Sequence, residues 1–196
     1  MSEVESEIYG KNMRPKGITP AIAMINPKNA CNVGAAVRAA SCFGARQVWF
    51  TGNRVKLDPE RGRLPREERM KGYKKVELRQ HDYIFEQFGP DVTPVAVEVR
   101  ANSENLMVFE HPENPLYVFG PEDGNISQVV RQHCHRYVII PTAHCTNLAA
   151  AVYIMLYDRM LKRYWNGDDP LLAPHEYLDE ERGNWPGDEA WKGLVS

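Results

Sequence analysis

The chain has 196 residues, 43% of them hydrophobic and 26% charged, with a formal net charge of −2 at pH 7. Such a chain can bury a core without disulfides or metal, which excludes wholesale disorder, and no apolar run approaches the roughly 20 residues that span a bilayer. The N-terminus is polar and unlike a signal peptide, and the cysteines form no CxxC pair. We therefore expect a cytoplasmic protein with reduced thiols.

Charge is distributed unevenly along the chain. Residues 166–196 carry eight acidic and two basic side chains, whereas the segment 54–75 holds nine basic and four acidic ones. A segment of this composition is also typical of a solvated surface loop. Clustered basic side chains can instead bind the phosphates of a nucleic acid, and each such contact releases counterions. The phosphate-binding candidates of this basic segment are Arg54, Arg61, Arg63, Arg66 and Arg69.

Short apolar runs alternate with helical patterns. In chain order, the sequence predicts a strand at 21–25, a helix at 32–43, a strand at 47–51, helix 81–88, strands 93–99 and 115–119, helix 126–134, strand 137–140 and helix 147–164. This alternation predicts an α/β fold with a mostly parallel sheet covered on both faces. We expect an N-terminal extension at 1–20, one domain at 21–165 and an acidic, aromatic tail at 166–196 that packs on its own domain or on a second copy.

Three polar loops, each marked by glycine or proline, follow predicted strands. They span residues 26–34, 119–124 and 140–147. In open α/β sheets, ligands bind beyond the carboxyl ends of the strands. Taken singly, each loop is also explained by helix caps or tight turns. None is a GxGxxG or Walker loop, which disfavours a Rossmann dinucleotide site.

Together, the three loops resemble the motifs of the SpoU class of SPOUT RNA methyltransferases. Over residues 21–161, the resemblance is carried in order by Asn32-x-Gly34-x-x-x-Arg38, by Phe119-Gly120-Pro121-Glu122, and by Ile140-Pro141 with Asn147-Leu148-Ala149. It implies a Rossmann-like sheet with a C-terminal deep trefoil knot, a homodimer, and S-adenosylmethionine bound in the knot. It also implies methyl transfer to a ribose 2′-oxygen of tRNA or rRNA. Compact members of the class tend to act on tRNA, which we favour here.

The resemblance also implies roles for individual residues. Arg38 would contact the 2′-hydroxyl and act as the general base, or it would orient the group that does. Arginine stays protonated over the pH range in which enzymes work. Positioning a phosphate is therefore the physically easier role for Arg38. Asn32 would orient Arg38 or the nucleotide, Glu122 would fix the knot loops, and Asn147 would position substrate or cofactor. The basic segment would bind the RNA. The cofactor-binding residues implied are Glu98, Val99, Gly120, Ile140, Cys145, Thr146 and Leu148.

The third motif departs from the family pattern. Only residues 142–146 separate its proline from Asn147, and Cys145 stands where a serine is usual. A thiol is a weaker hydrogen-bonding group than a hydroxyl. The alternatives are therefore a noncatalytic member that binds RNA or cofactor, and a SPOUT enzyme that methylates a base.

Two further alternatives concern cysteine and histidine chemistry. His133, Cys134, His135, His144 and Cys145 are potential metal ligands, but they lack the spacing of zinc sites, so we predict no metal. A cysteine nucleophile is the other possibility, although buried cysteines are usually inert.

Overall fold

The fold is described from a computed structural model of the chain, which describes residues 20–69 and 73–167. The predicted N-terminal extension and nearly all of the predicted acidic tail lie outside these residues. The chain divides into two units, residues 1–161 and 162–196. No helix of the described ranges is long and apolar enough to cross a membrane.

The first unit is built on a parallel sheet of seven strands. The strands are β1 (Ala21–Met24), β2 (Gln47–Phe50), β3 (Glu77–Gln80), β4 (Thr93–Val97), β5 (Glu104–Asn105), β6 (Pro115–Phe119) and β7 (Arg136–Ile139). Their order across the sheet is β3-β2-β1-β6-β4-β7-β5, and each pairing is parallel. The prediction of a mostly parallel α/β sheet is confirmed.

Helices and hydrophobic clusters cover both faces of the sheet. The helices are α1 (Ala30–Cys42), the short α2 (Gln128–Arg131) and α3 (Leu148–Trp165). Within β1, Ile22 and Met24 join the cluster that includes α1 and α3, whereas Ala21 and Ala23 join the cluster on the other face. This alternation follows from the two-residue period of a strand, and it explains why the strands read as continuous apolar runs.

The helix predicted at 81–88 is wrong. Only residues Ile84–Gln87 form a single 3-10 turn. The backbone N–H of His81 donates to Phe50 O at 3.0 Å, and so continues the ladder between β2 and β3 into the segment predicted as a helix. Strand β3 itself was not predicted, because its sequence ELRQ is polar and lies at the edge of the sheet.

Two other helices differ in detail from the prediction. The helix predicted at 126–134 shrinks to the single turn of α2, where Ser127 Oγ accepts from Val130 N–H at 3.4 Å. The helix predicted at 147–164 spans Leu148–Trp165, and its buried residues include Leu148, Val152, Met155, Leu156 and Arg159. The side chain of Arg159 donates to Glu113 O at 2.9 Å, which offsets the cost of burying its charge.

The register brings the polar loops to one edge of the sheet. Met24 lies opposite Phe50 on one side and Phe119 on the other, and Val97 pairs with both Phe119 and Val138. The carboxyl ends of β1, β2, β6, β4 and β7 are therefore aligned, and the loops that follow them are neighbours.

Of the second unit, the described part is the end of α3 and the turn after it. Asn166 N–H donates to Lys162 O at 3.0 Å, and Gly167 N–H donates to Tyr164 O at 3.1 Å. Gly167 has a φ of 78°, the left-handed conformation with which many helices end.

Candidate active site

One residue from each of the three motifs meets at the carboxyl edge of the sheet. Asn32 Nδ2 donates to Glu122 Oε1 at 2.7 Å, and Asn32 Oδ1 accepts from Asn147 Nδ2 at 3.1 Å. Asn32 is 7% exposed, so both ends of its amide are satisfied inside the protein. We call these three residues the motif cluster. Its members come from positions far apart in the chain, and the parallel register brings them together.

Glu122 holds the first loop through hydrogen bonds. Its Oε2 accepts from Lys28 N–H at 2.7 Å, and its Oε1 accepts from Asn29 N–H at 3.2 Å and from Asn29 Nδ2 at 3.4 Å. Burial raises the pKa of Glu122, but the hydrogen bonds from Lys28, Asn32 and Asn29 outweigh burial and hold that pKa below its usual value. Glu122 is thus an anion that fixes the loop between β1 and α1.

Asn147 combines a local role with a role in the motif cluster. Its Oδ1 accepts from Ala149 N–H at 2.9 Å and from Ala150 N–H at 3.2 Å, which caps the first turn of α3. Its Nδ2 remains directed to Asn32. Asn147 can therefore cap α3 and contact Asn32 at the same time, because the amide has separate donor and acceptor ends.

Sequence reasoning placed Arg54 among the phosphate-binding arginines, but the structure places it beside the motif cluster. Arg54 Nη1 donates to both carboxylate oxygens of Asp123 at 3.0 Å, and Arg54 Nη2 lies 3.9 Å from Glu122 Oε2. The hydrogen bond from Arg54 is the main cause that holds the pKa of Asp123 below its usual value. Asp123 was missed as a site residue, although its place next to Glu122 in the second motif was a usable signal.

The glycine of the first motif lets the basic segment approach α1. A Cβ atom on Gly34 would lie 2.1 Å from the backbone oxygen of Glu68. No side chain fits at that distance, so a glycine is required for the contact. The basic segment is therefore fixed to the same helix that carries Asn32.

Arg38 does not join the motif cluster. Six helical positions separate it from Asn32, a rotation of about 240° that points the two side chains in different directions. Arg38 is exposed, and among the described residues no hydrogen bond connects it to the three members. Burial raises the pKa of Tyr153 on α3, and the nearby charge of Arg38 acts in the opposite direction. The charge of Arg38 is therefore close enough to Tyr153 to affect its pKa.

The residues predicted to bind cofactor lie at the ends of three neighbouring strands. Glu98 and Val99 follow β4, Gly120 follows β6 and Ile140 follows β7, and these strands are adjacent in the order β6-β4-β7. A Cβ atom on Gly120 would lie 3.3 Å from Ile126 N, so the loop folds tightly here.

The third loop adds an exposed segment beside these strand ends. Cys145 and Thr146 are exposed, whereas Leu148 is buried. Backbone polar groups at strand ends next to apolar side chains suit a ligand that has both an apolar ring and polar groups.

The other arginines of the basic segment differ in exposure. Arg61 and Arg66 are exposed, whereas Arg63 and Arg69 are partly buried. The Arg69 guanidinium lies 5.5 Å from the centre of the Tyr73 ring, a cation–π contact. A cleft of about 120 Å³ is lined by Arg63, Arg69 and Gly34, among other residues. Arg61 and Arg66 are the two that face solvent most openly.

Three observations concern the cysteine and histidine residues considered as alternatives. Burial, followed by the charge of Glu98, raises the pKa of Cys134 to about 12, which makes its thiol a poor nucleophile. The His133 ring stacks on Phe85 with centroids 4.6 Å apart. Within residues 20–69 and 73–167, no group of three or more His, Cys, Asp or Glu side chains is arranged to hold a metal ion.

Several solved structures share this fold. An AdoMet-bound rRNA methyltransferase from Sinorhizobium meliloti matches with a TM-score of 0.64 at 20% identity, covering 79% of this chain and 61% of that one. The A. aeolicus TrmH/SpoU tRNA modifying enzyme matches with a TM-score of 0.63 at 18% identity over 91% of each chain. A third structure, described as giving insights into the 2-OH methylation of C/U34 on tRNA, has a TM-score of 0.62 at 23% identity, covering 76% of this chain and 97% of that one.

Coverage and sequence comparison complete the assignment. The chain spans less than two thirds of the Sinorhizobium meliloti protein that it matches. A comparison with curated proteins gave no match. Residues 20–157, which contain the whole motif cluster, match the model of the SpoU rRNA Methylase family. The chain therefore belongs to the SpoU rRNA methylase family.

Proposed function

We propose that the chain is an S-adenosylmethionine-dependent RNA methyltransferase that modifies a ribose 2′-hydroxyl, with tRNA favoured over rRNA as substrate. The single observation that carries this proposal is the motif cluster. Asn32, Glu122 and Asn147 are hydrogen-bonded in one network at the carboxyl edge of a parallel sheet. Ligands of open α/β sheets bind at this edge.

The cofactor would lie against the ends of β6, β4 and β7. Glu98, Val99, Gly120, Ile140, Cys145, Thr146 and Leu148 would hold it. When bound, S-adenosylmethionine supplies an electrophilic methyl group. The exposed loop 141–147 and the adjoining apolar residues suit its adenine ring and its polar amino-acid part. The AdoMet-bound neighbour supports this choice of cofactor.

The chain's own residues would position the ribose and stabilise charge. Asn32 cannot rotate without losing hydrogen bonds to Glu122 and Asn147, so it would hold these two residues in a fixed arrangement beside the nucleotide. A 2′-oxygen develops negative charge as its proton leaves. The protonated guanidinium of Arg38 would stabilise that charge or hold the neighbouring phosphate.

We propose a homodimer that involves the face of α1 and α3 on which Arg38 lies. Arg38 and Asn32 leave α1 in different directions, so one chain by itself does not bring Arg38 to the motif cluster. On the same face, Phe43 makes edge-to-face contacts with Tyr153 and Tyr157, and Tyr157 is 51% exposed. Exposed aromatic side chains are typical of interfaces. Sedimentation equilibrium of the full chain tests this state, and a monomer at micromolar concentration would contradict it.

The finer features of the fold are also part of the proposal. The loop 140–147 returns to Asn32, and we propose that this part of the chain forms the deep trefoil knot implied by the family. We further propose a cytoplasmic location, and an acidic tail at 166–196 that stays away from the RNA because its charge repels phosphates.

The preference for tRNA is supported by size and by the basic segment. The structure described as giving insights into the 2-OH methylation of C/U34 on tRNA is matched over 97% of its length. That protein therefore contains little beyond the fold that it shares with this chain. Arg61, Arg63 and Arg66 would contact phosphates of the RNA.

The test is methyl transfer from labelled S-adenosylmethionine to a pool of tRNA and rRNA, followed by nucleoside analysis. We expect a labelled 2′-O-methylnucleoside in the tRNA fraction. Arg38→Ala should lower the rate by about 10²- to 10⁴-fold, while cofactor binding measured by calorimetry is retained. Arg38→Lys, which keeps the charge but not the fork of donors, is the matched control.

Each other outcome identifies an alternative. A labelled base would mean that the enzyme methylates a base. Cofactor binding without any labelled RNA would favour a noncatalytic member of the family. That alternative arises because Cys145 stands where the third motif usually has a serine. A full rate for Arg38→Ala would remove Arg38 from the mechanism.

A further inference from the structure

A second surface lies on the same edge of the sheet, two strands away from the motif cluster. Gln80 at the end of β3 pairs with Phe50 of β2, which pairs with Met24 of β1. Neighbouring strands are about 4.8 Å apart, so the end of β3 lies roughly 10 Å across the sheet from the end of β1. Both surfaces therefore face ligands that approach the carboxyl edge.

An exposed aromatic pair forms the centre of this second surface. Tyr83 is 67% exposed, and its ring centroid lies 6.2 Å from that of His81. His81 Nδ1 accepts from the backbone N–H of Tyr83 at 3.1 Å, so a neutral His81 ring carries its proton on Nε2. The pair thus offers a flat aromatic ring beside a hydrogen-bond donor.

Hydrogen bonds to the loop after β2 hold this aromatic pair in place. Asp82 Oδ1 accepts from Gly52 N–H at 2.9 Å, and Gln80 Nε2 donates to Gly52 O at 2.6 Å. A Cβ atom on Gly52, whose φ is 76°, would lie 2.2 Å from Asn26 Oδ1. The same glycine therefore contacts both the β3 end and the first motif loop. The position of Tyr83 is fixed relative to the motif cluster.

A shallow, open groove of about 530 Å³ is lined in part by His81, two residues before Tyr83. Its lining includes His81, Gln80, Arg79, Trp49 and residues 57–59 at the start of the basic segment.

One exposed arginine of the groove lies over the buried Trp49 ring. The Arg79 guanidinium lies 5.2 Å from the Trp49 ring centre and also pairs with Glu77. The carboxylate of Asp58 accepts from the N–H groups of Glu60 and Arg61 at 3.0 and 3.1 Å, which reduces its repulsion of an anionic ligand. Exposed Arg61 lies next to Gly62, which also lines the groove.

We propose that this groove and the Tyr83 ring bind an unpaired nucleotide of the RNA close to the one that is methylated, with its base stacked on Tyr83. This inference rests on the proposed function for the identity of the RNA. Exposed aromatic rings beside basic side chains bind single-stranded nucleic acid, because every base has a face that stacks. A base in a duplex is stacked on its neighbours and cannot reach Tyr83, which the contacts of Gly52 hold in place. The surface would therefore bind RNA loops in preference to duplexes.

The first test is a cross-linking experiment that does not depend on catalysis. A pool of tRNA transcripts containing 4-thiouridine is irradiated with the full-length protein, and cross-linked peptides are mapped by mass spectrometry. We expect cross-links within residues 79–83. Absence of cross-links there, with cross-links elsewhere or with none, would overturn the inference.

The second test compares variants by equilibrium binding to the same tRNA pool. Tyr83→Ala should raise the Kd by about 5- to 100-fold, the loss of one stacked base, whereas Tyr83→Phe keeps the ring and should change it less than about twofold. Val129→Ala is the control, because Val129 on α2 is also 67% exposed. Thermal unfolding and S-adenosylmethionine binding should be the same for all of these proteins.

The outcomes separate this inference from the proposed function. If the wild-type protein transfers no methyl group but cross-links at residues 79–83, the surface binds RNA and the proposed reaction is wrong. If Tyr83→Ala methylates RNA with an unchanged KM and Kd, the reaction is correct and the surface is not a nucleotide site. Cross-linking of another protein instead of RNA would identify the groove as a protein-docking surface and overturn the inference.

Discussion

The centre and the β3 edge of the sheet present two contrasting surfaces to the same side of the molecule. At the centre, Asn32 and Glu122 are held by hydrogen bonds from several loops, and Asn32 is nearly inaccessible. At the edge, Tyr83 and Arg79 expose most of their surface. A preorganised centre suits a reaction that needs fixed geometry, whereas exposed rings and charges suit an RNA strand of variable sequence.

The contrast has a cause in the order of the strands. β1 and β6 are central, so the loops that follow them have neighbours on both sides and can share hydrogen bonds. β3 is an edge strand, so one side of its end faces solvent. Glycine connects the two surfaces at Gly52, next to Asn26 of the first loop, and at Gly34, where the basic segment contacts α1.

The largest effect that would test the fixed centre is expected for Glu122→Gln. The amide replaces one acceptor oxygen with an NH₂ group, which then faces a backbone N–H of the first loop. We expect a loss of about 2 kcal/mol in the free energy of unfolding at pH 7, measured by urea denaturation. Asp123→Asn, which affects a more exposed carboxylate, is the matched control and should cost less.

This effect should depend on pH. The pKa of Glu122 is lowered in the folded protein, so its stabilisation is complete above the unfolded value of about 4.3 and is lost as the pH falls through the folded pKa. The stability difference between wild type and Glu122→Gln should therefore shrink on acidification below about pH 4. A difference that stays constant down to acid pH would mean that the carboxylate charge contributes nothing.

A smaller effect is expected for Gly34→Ala, which tests the connection between the centre and the basic segment. The new methyl group collides with Glu68 O, which costs about 1–3 kcal/mol, while the better helix propensity of alanine returns about 1 kcal/mol. We expect a net loss near 1 kcal/mol by thermal unfolding, together with faster proteolysis within the basic segment.

Gly124→Ala is the control for that substitution. A Cβ atom at Gly124 meets only Pro121 Cγ at 3.6 Å, an ordinary van der Waals contact. If both alanine variants have the same stability and the same proteolysis rate, the close approach of Glu68 to α1 does not fix the basic segment.

The smallest free-energy change per residue is expected at two arginines of the basic segment. Removing Arg63 and Arg66 together as Arg63→Gln and Arg66→Gln should reduce the slope of log Kd against log salt for RNA by about 2. Charge reversal to Glu at both positions should weaken binding further at low salt. An unchanged slope in both double variants would mean that these arginines do not contact phosphates.

Local sequence patterns predicted most of the central fold. The strand prediction at 115–119 coincides with β6. The helix predicted at 32–43 corresponds to α1 (Ala30–Cys42), which is followed by Gly44 with a φ of 77°. The pattern was weak where tertiary contacts decide the structure. Residues Glu77–Gln80 are polar and form a strand only because β2 supplies their hydrogen-bond partners, and this pairing also prevents the helix predicted from His81.

The sequence by itself determined the identity and order of the motif residues, because asparagine, glycine, arginine and glutamate at those spacings mark the family. Only the tertiary structure decided how they are used. It paired Arg54 with Asp123, joined Asn147 to Asn32 and left Arg38 on another face of α1. These contacts join residues from distant parts of the chain, and they depend on the parallel register that aligns the strand ends. Local propensity contains no information about that register.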